Sequence, residues 1–319
     1  MMRIAVLDDY QRCAPGFADW DSLDATVTFF SEPVPRDRLP EVLAGFDALV
    51  LMRERTPLAR SVLEKLPRLR LVVTTGMRNA SLDIAYLREH GVEVCGTEAI
   101  SNEIGVSPPT EIAWALIFSA VTQLPAEDRS VRTGQWQRGL PGRLAGRTLG
   151  LIGLGRLGAE MIQPARAFGM DVLAWSPNLK ADRAAALGVR KVPKRELLAE
   201  SDVVSIHLVL SDSTRGLITA HDLAAMKPTA VVINTARGPI VDETALVAAL
   251  RDKSIAGAGL DVYDVEPLPG GHPLRALDNV VLSPHLGYVE ESSLRRWYSQ
   301  VVEDIAAFQA GSPLRAVKQ

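Results

Sequence analysis

The chain has 319 residues, room for two ordinary domains with cores of their own. Hydrophobic residues make up 47% and charged residues 23%, the balance of a globular protein and not of a disordered one. A formal net charge of -3, with both signs dispersed and no like-charge run, gives no reason to expect nucleic acid or an anionic membrane as partner.

The N-terminal run Ile4-Ala5-Val6-Leu7-Asp8-Asp9 reads as a buried strand ending in acids, without the cleavage site of a signal peptide. The most apolar helical stretch, residues 112–124, is too short to span a bilayer. Cys13 and Cys95 lie far apart with no histidine cluster beside them, so neither a disulfide nor a metal site is expected. These features predict a cytoplasmic protein, in which the glycosylation triplet Asn79-Ala80-Ser81 is coincidental.

Residues 4–7, 48–51 and 71–73 predict strands, with helical stretches at 39–45 and 61–66 between them and a further strand at 92–95. A Ser-, Gly- and Pro-rich break at 101–109 marks a domain crossing, and a long apolar helix begins near Thr110. The Gly-rich segment 134–146 reads as a loop. Strands are then predicted at 148–153, 171–175, 203–208, 230–234, 258–262 and 280–283, continuously apolar as strands covered on both faces must be. A last helix, 291–310, follows the second sheet and can return to the first domain. The fold class is α/β, with two doubly wound parallel-sheet domains of Rossmann-like or flavodoxin-like type. Their expected extents are 1–101 plus 289–319, and 102–288.

The strongest local signal is Leu149-Gly150-Leu151-Ile152-Gly153-Leu154-Gly155-Arg156-Leu157-Gly158, an apolar strand running through G-x-G-x-x-G into a helix. Gly153 permits the tight turn, Gly155 lets backbone approach a pyrophosphate, and Gly158 lets the helix pack close to the strand. The helix start offers N–H groups to the anion. An acid at the end of the next strand would bind the ribose hydroxyls of NAD. That strand runs Asp171-Val172-Leu173-Ala174-Trp175, and Ser176-Pro177-Asn178-Leu179-Lys180 follows, without the acid. Ser176 and Asn178 can bond a ribose without repelling a 2′-phosphate. Lys180 and Arg183 either attract such a phosphate or are solvated charges. NAD and NADP both stay open.

Three later segments end strands at the edge where α/β sheets gather ligands. They are Asn234-Thr235-Ala236-Arg237-Gly238, Asp261-Val262-Tyr263-Asp264-Val265-Glu266-Pro267 and Ser283-Pro284-His285-Leu286-Gly287. Interconverting a hydroxyl and a carbonyl moves a proton beside the hydride, and histidine titrates near neutrality, so His285 is the candidate acid/base. A carboxylate orients such a ring, which suits Glu266. Arg237 offers a fork of donors for a substrate carboxylate. Asp261 can accept from a nicotinamide carboxamide. Singly, each has a plainer reading: Arg237 and Glu266 can pair with each other, and Asp261 can cap a loop.

Taken together, in this order and over nearly the whole chain, these motifs resemble the D-isomer-specific 2-hydroxyacid dehydrogenase family. The resemblance implies that Arg237, Glu266 and His285 are the catalytic residues. It implies cofactor contacts at Gly153, Gly155, Arg156, Leu157, Gly158, Ser176, Asn178, His207, Thr235, Ala236, Asp261 and Gly287, with residues 202–208 as the strand beside the adenosine. It implies a substrate domain from the N-terminal unit and last helix, a cofactor domain between them, an active-site cleft separating the two, and a homodimer built on residues 110–124 and the loop after them. The turn Thr75-Gly76-Met77-Arg78-Asn79-Ala80 matches the family's carboxylate-binding turn, with Arg78 where a smaller or neutral residue is usual. Ser176 and Val209 are departures, from a frequent aspartate and a common proline. Glu266 argues against the formate dehydrogenase branch, which has glutamine. The end at Gln319 leads us to expect no regulatory domain of the kind longer phosphoglycerate dehydrogenases carry. Arg53, in Leu51-Met52-Arg53-Glu54-Arg55-Thr56, resembles an arginine those enzymes place near substrate. With Arg55 and Arg78 it suggests a second anion pocket, unless Glu54 and neighbouring acids pair with these arginines. The expected function is reduction of a small 2-keto acid, or oxidation of the 2-hydroxy acid, with NAD or NADP. The alternatives are a non-catalytic NAD(H)-sensing protein and an oxidoreductase of the same fold acting on a substrate such as phosphite.

Overall fold

The computed structural model describes residues 1–98 and 105–317. Internal packing divides the chain into two compact units, Met1–Ser101 with Glu290–Gln319, and Asn102–Val289. The crossing expected at residues 101 and 102 lies outside the described residues. Each unit is built on one all-parallel sheet, as the α/β reading requires.

In the first unit the strands are β1 Met2–Val6, β2 Ala25–Phe29, β3 Ala48–Leu51, β4 Leu71–Thr74 and β5 Glu93–Gly96, in the order β2-β1-β3-β4-β5. This is the flavodoxin-like order. β3 and β4 are buried along their whole length, which is why their sequences are apolar at every position except Thr74, whose hydroxyl accepts from Asn79 Nδ2 at 3.0 Å. β2 lies at the edge with Thr26 and Thr28 exposed, so no apolar run announces it. Leu7, Leu49, Leu51, Val72 and Val94 share one core. The helix Glu291–Gln309 covers β4 and β5, burying Trp297, Tyr298, Val301 and Ile305. Trp20 joins it to the edge strand, its ring centroid 5.3 Å from Phe29 and 6.2 Å from Tyr298.

The second unit contains β6 Thr148–Ile152, β7 Asp171–Trp175, β8 Arg190–Lys191, β9 Val203–Ile206, β10 Val231–Asn234, β11 Gly257–Leu260 and β12 Val280–Leu282. Their order, β12-β11-β10-β9-β6-β7-β8, reverses direction at β6, the switch point where such sheets bind ligands. Alternate residues feed separate cores: Leu149, Leu151, Val231 and Ile233 one, Ile152, Val204, Ile206 and Val232 the other. Truncating one of these leucines or isoleucines to alanine should remove roughly 2–5 kcal/mol, read as a fall in the free energy of chemical unfolding. The long helix Pro108–Thr122 lies so close to β11 that a Cβ on Gly259 would come within 2.9 Å of Leu116 Cβ. β8 has only two residues, both exposed, and went unannounced in the sequence. No helix among the described residues is long and apolar enough to cross a membrane.

After its last helix the first unit closes with a strap. Gly96 N–H donates to the Arg315 carbonyl at 3.0 Å, and Val317 N–H to the Val94 carbonyl at 2.9 Å. Arg315 reaches back to Asp304, Nε to Oδ1 at 3.0 Å, and donates through Nη2 to the Gln300 carbonyl at 2.8 Å. Asp304 is wholly buried, and its Oδ2 has no hydrogen-bond partner among the described residues. Burial raises its pKa from 3.8 to about 7, although Arg315 pulls the other way and Glu303 and Glu98 add to the rise. Between those values the folded state holds a proton the unfolded chain has released, so stability falls as pH rises through this range. Unfolding followed between about pH 5 and pH 8 should show that decline, at most about 1.4 kcal/mol per pH unit for one proton. Asp304→Asn should flatten it, and an unaltered slope in the variant would refute the assignment.

Candidate active site

Two of the three motif glycines are demanded by packing. Gly153 has φ +106°, and a Cβ there would lie 2.5 Å from the His207 carbonyl oxygen. A Cβ on Gly158 would lie 2.1 Å from the Gly153 carbonyl oxygen. Gly155 differs, because a Cβ there would meet nothing within 4 Å. Its backbone therefore fronts open space just before the helix Arg156–Glu160, an opening that a pyrophosphate fits. Leu157 is the second residue of that helix. Arg156 Nη1 donates to Glu160 Oε1 at 2.9 Å. Glu160 Oε2 receives the Ser107 N–H at 2.9 Å, the Thr110 hydroxyl at 2.8 Å and the Ser107 hydroxyl. Burial works against the charge of Glu160, but these bonds and Arg156 outweigh it and hold its pKa below the usual value.

His207 follows β9, with its N–H on the Ile152 carbonyl at 2.8 Å and Nε2 2.9 Å from the Ser205 hydroxyl. Desolvation lowers its pKa to about 4, so the ring is neutral at physiological pH. Ser176 comes straight after β7, partly exposed, and Asn178 is exposed in the turn beyond.

At the end of β10, Asn234 shapes the arginine turn: its Oδ1 accepts the Ala236 N–H at 3.0 Å and its Nδ2 donates to the Arg237 carbonyl at 2.9 Å. Thr235 and Ala236 occupy this turn, and Arg237 Nη1 donates to the Ala236 carbonyl at 2.7 Å. Gly238 must be glycine, since a Cβ would fall 2.1 Å from the Tyr263 carbonyl carbon. The neighbouring strand leads to Asp261, whose N–H bonds the Asn234 carbonyl at 3.0 Å.

Glu266 and His285 meet, although 19 residues separate them. His285 Nδ1 lies 2.6 Å from Glu266 Oε2, while Glu266 Oε1 accepts the Tyr263 N–H at 3.0 Å. His285 holds a left-handed backbone, φ +56°, unusual outside glycine. Asp261, fully buried, maintains that loop: Oδ1 takes the Ser283 hydroxyl at 2.6 Å and the Leu286 N–H at 2.7 Å, and Oδ2 the Gly287 N–H at 2.9 Å. Tyr263 adds a further tie, its hydroxyl donating to the Ser283 carbonyl at 2.9 Å.

The first unit's candidate residues are also clustered. Arg53 has φ +55°, and its N–H donates to Thr75 Oγ1 at 2.8 Å. Its guanidinium overlies the next turn, where a Cβ on Gly76 would be 2.6 Å from Arg53 Nη1. Gly76 N–H donates to Thr97 Oγ1 at 2.8 Å, and Met77 and Arg78 are exposed beside it. Arg55 points elsewhere, over the Tyr10 ring at 4.8 Å. Glu54 Oε1 accepts the Ala80 N–H at 3.3 Å. Asn79 is buried and donates to the Arg53 carbonyl at 2.7 Å, a structural role that accounts for the residue inside the glycosylation-like triplet.

Sequence reasoning missed Tyr288 and Glu160. Tyr288 packs its ring against the His285 imidazole, centroids 5.3 Å apart at 70°. An aromatic three residues after the candidate histidine was the available signal. For Glu160 it was a carboxylate one turn beyond Arg156.

Residues 114–287 match the model of the D-isomer specific 2-hydroxyacid dehydrogenase NAD-binding domain. A glyoxylate reductase of Korarchaeum cryptofilum is 37% identical over 285 residues, 88% of this chain and 84% of the relative. A hydroxypyruvate reductase of Blautia hydrogenotrophica is 31% identical over 100% of both chains. The crystal structure of a phosphoglycerate oxidoreductase from Vibrio cholerae O395 superposes with a TM-score of 0.90 at 38% identity, covering 98% of this chain and 100% of that one. The chain belongs to the D-isomer-specific 2-hydroxyacid dehydrogenase family, is an oxidoreductase acting on a CH–OH group, and uses NAD or NADP.

The Tyr288 contact carries its own test. Tyr288→Ala should lower kcat about fivefold, from the loss of an aromatic pair worth roughly 1 kcal/mol, while the KM for cofactor stays put. Tyr288→Phe should retain wild-type kcat. Equal losses in the two variants would show that the hydroxyl, not the ring, is what matters.

Proposed function

We propose that the chain interconverts small 2-keto acids and D-2-hydroxy acids, with His285 as the group that gives and takes the substrate proton. The observation carrying this reading is the 2.6 Å bond between His285 Nδ1 and Glu266 Oε2. It leaves Nε2 as the ring nitrogen for the substrate oxygen, and Glu266 stabilises the imidazolium before the proton leaves. The bound nicotinamide supplies or accepts the hydride. Arg237 binds the substrate carboxylate and polarises the carbonyl. Gly153, Gly155, Arg156, Leu157 and Gly158 hold the pyrophosphate, Ser176 and Asn178 the ribose, and His207, Thr235, Ala236, Asp261 and Gly287 the rest of the dinucleotide. In the first unit, the backbone of Gly76, Met77 and Arg78 takes the substrate carboxylate.

The guanidinium of Arg53 above Gly76 favours a keto acid with a second negative group. Relatives named glyoxylate reductase and hydroxypyruvate reductase support small substrates of the same class. The test is nicotinamide absorbance in the presence of glyoxylate, pyruvate, hydroxypyruvate, 2-ketoglutarate, oxaloacetate and phosphohydroxypyruvate. His285→Ala should reduce turnover by roughly 10²–10⁴. Arg53→Ala with Arg78→Ala should raise KM only for the dianionic substrates, and equal KM values would remove the anion pocket. Cofactor binding without turnover on any keto acid would favour an NAD(H)-sensing role.

We further assign a homodimer in the cytoplasm. Its support is a stretch of exposed apolar side chains on and after the helix Leu124–Arg132: Leu124 and Val131, then Trp136 at 75% and Leu140 at 94% exposure. Both cysteines are free thiols, suited to a reducing compartment. Light scattering should give twice the chain mass, and Trp136→Glu with Leu140→Glu should give monomer. A wild-type monomer would overturn the assignment.

A further inference from the structure

The end of β7 is tied to the glycine loop. Trp175 pairs with Ile152 in register, and its carbonyl receives the Gly153 N–H at 2.8 Å. The residues directly after Trp175 therefore lie where the adenosine ribose of a dinucleotide comes to rest in this fold. There the chain makes a turn, Leu179 N–H to the Ser176 carbonyl at 3.2 Å. Leu179 is buried and anchors the turn, leaving Ser176 partly exposed and Asn178 and Lys180 exposed.

The electrostatics of this turn point one way. No carboxylate stands between Trp175 and Ala181, so nothing chelates a ribose diol and nothing repels a phosphate on it. Lys180 and Arg183 are both exposed, and neither makes an ion pair with a described residue. Asp182 is the one acid among these residues. On the adjoining strand Lys191 lies level with Ala174, near the same end of the sheet, and is exposed. The acids that follow it, Glu196 and Glu200, are both taken by Arg190. Arg156 is engaged by Glu160. The surroundings of the ribose position thus carry a positive excess and several neutral donors.

We propose that this chain is selective for NADP(H): Ser176 and Asn178 bond the 2′-phosphate, and Lys180, Arg183 and Lys191 balance its charge. The proposal rests on the placement of the dinucleotide at the Gly153–Gly158 loop.

The test is calorimetric titration of the purified full chain with NADP⁺ and with NAD⁺, which needs no substrate. NADP⁺ should bind at least about tenfold more tightly, as expected of charge-assisted bonds to a phosphate. That preference should shrink as salt is raised. Lys180→Ala with Arg183→Ala should weaken NADP⁺ about tenfold and leave NAD⁺ unchanged. Ser176→Asp should reverse the preference, with a thermal melt showing that the variant is folded. Equal or tighter binding of NAD⁺ by the wild type, or NADP⁺ affinity indifferent to Ser176→Asp, would overturn the proposal alone. Binding of neither dinucleotide would overturn the placement beneath it as well.

Discussion

A single buried carboxylate organises the loop of the second unit that carries His285. Asp261 leaves β11 and accepts from the Ser283 hydroxyl and from the N–H groups of Leu286 and Gly287, on both sides of His285. A left-handed backbone at a histidine costs on the order of 1 kcal/mol and persists only where its surroundings over-determine it. Three charge-assisted bonds to a group with no access to water provide that determination. With the loop held, the imidazole has one orientation, Glu266 takes one ring nitrogen and Tyr288 packs on the ring. Reading Asp261 only as an acceptor for the nicotinamide carboxamide therefore understates it, because the same side chain fixes the backbone that carries the histidine.

The first unit reaches a comparable arrangement by different means. Arg53 and Gly76 end neighbouring strands, and both have positive φ. Thr75, Thr97 and Asn79, all buried, bond the backbone of the two turns. The side chains exposed above them, Met77 and Arg78, stand on a base in which each buried polar group is bonded. In both units parallel strands place loops at one edge, and short polar side chains beneath those loops bond their backbone.

Much of this was legible before the structure. The inner strands announce themselves because burial on both faces demands apolar residues at successive positions, as at residues 48–51 and 231–233. The edge strands β2 and β8 do not, since half or all of their side chains meet water. The glycine loop, the arginine turn and the histidine loop were visible as motifs because each is a short local arrangement at a strand end. What local sequence does not carry is the meeting of separate segments. The clamp of Glu160 on Ser107 and Thr110 spans about fifty residues of chain. The likeness of Arg53 and Arg55 on paper also hid their difference, since one overlies Gly76 and the other stacks on Tyr10.

The glycine motif deserves a finer reading than its regular spacing invites. Gly153 and Gly158 answer to the protein, because any side chain there would strike the carbonyl of His207 or of Gly153 itself. Gly155 answers to nothing in the folded chain, since the space beyond it is open. The three positions therefore answer to different constraints. A descendant that abandoned nucleotide chemistry but kept its architecture would hold the outer two glycines for as long as it folded, while the middle one drifted. Among relatives of this chain, the identity of that middle residue is the informative letter, and the spacing of the motif alone testifies only to the turn.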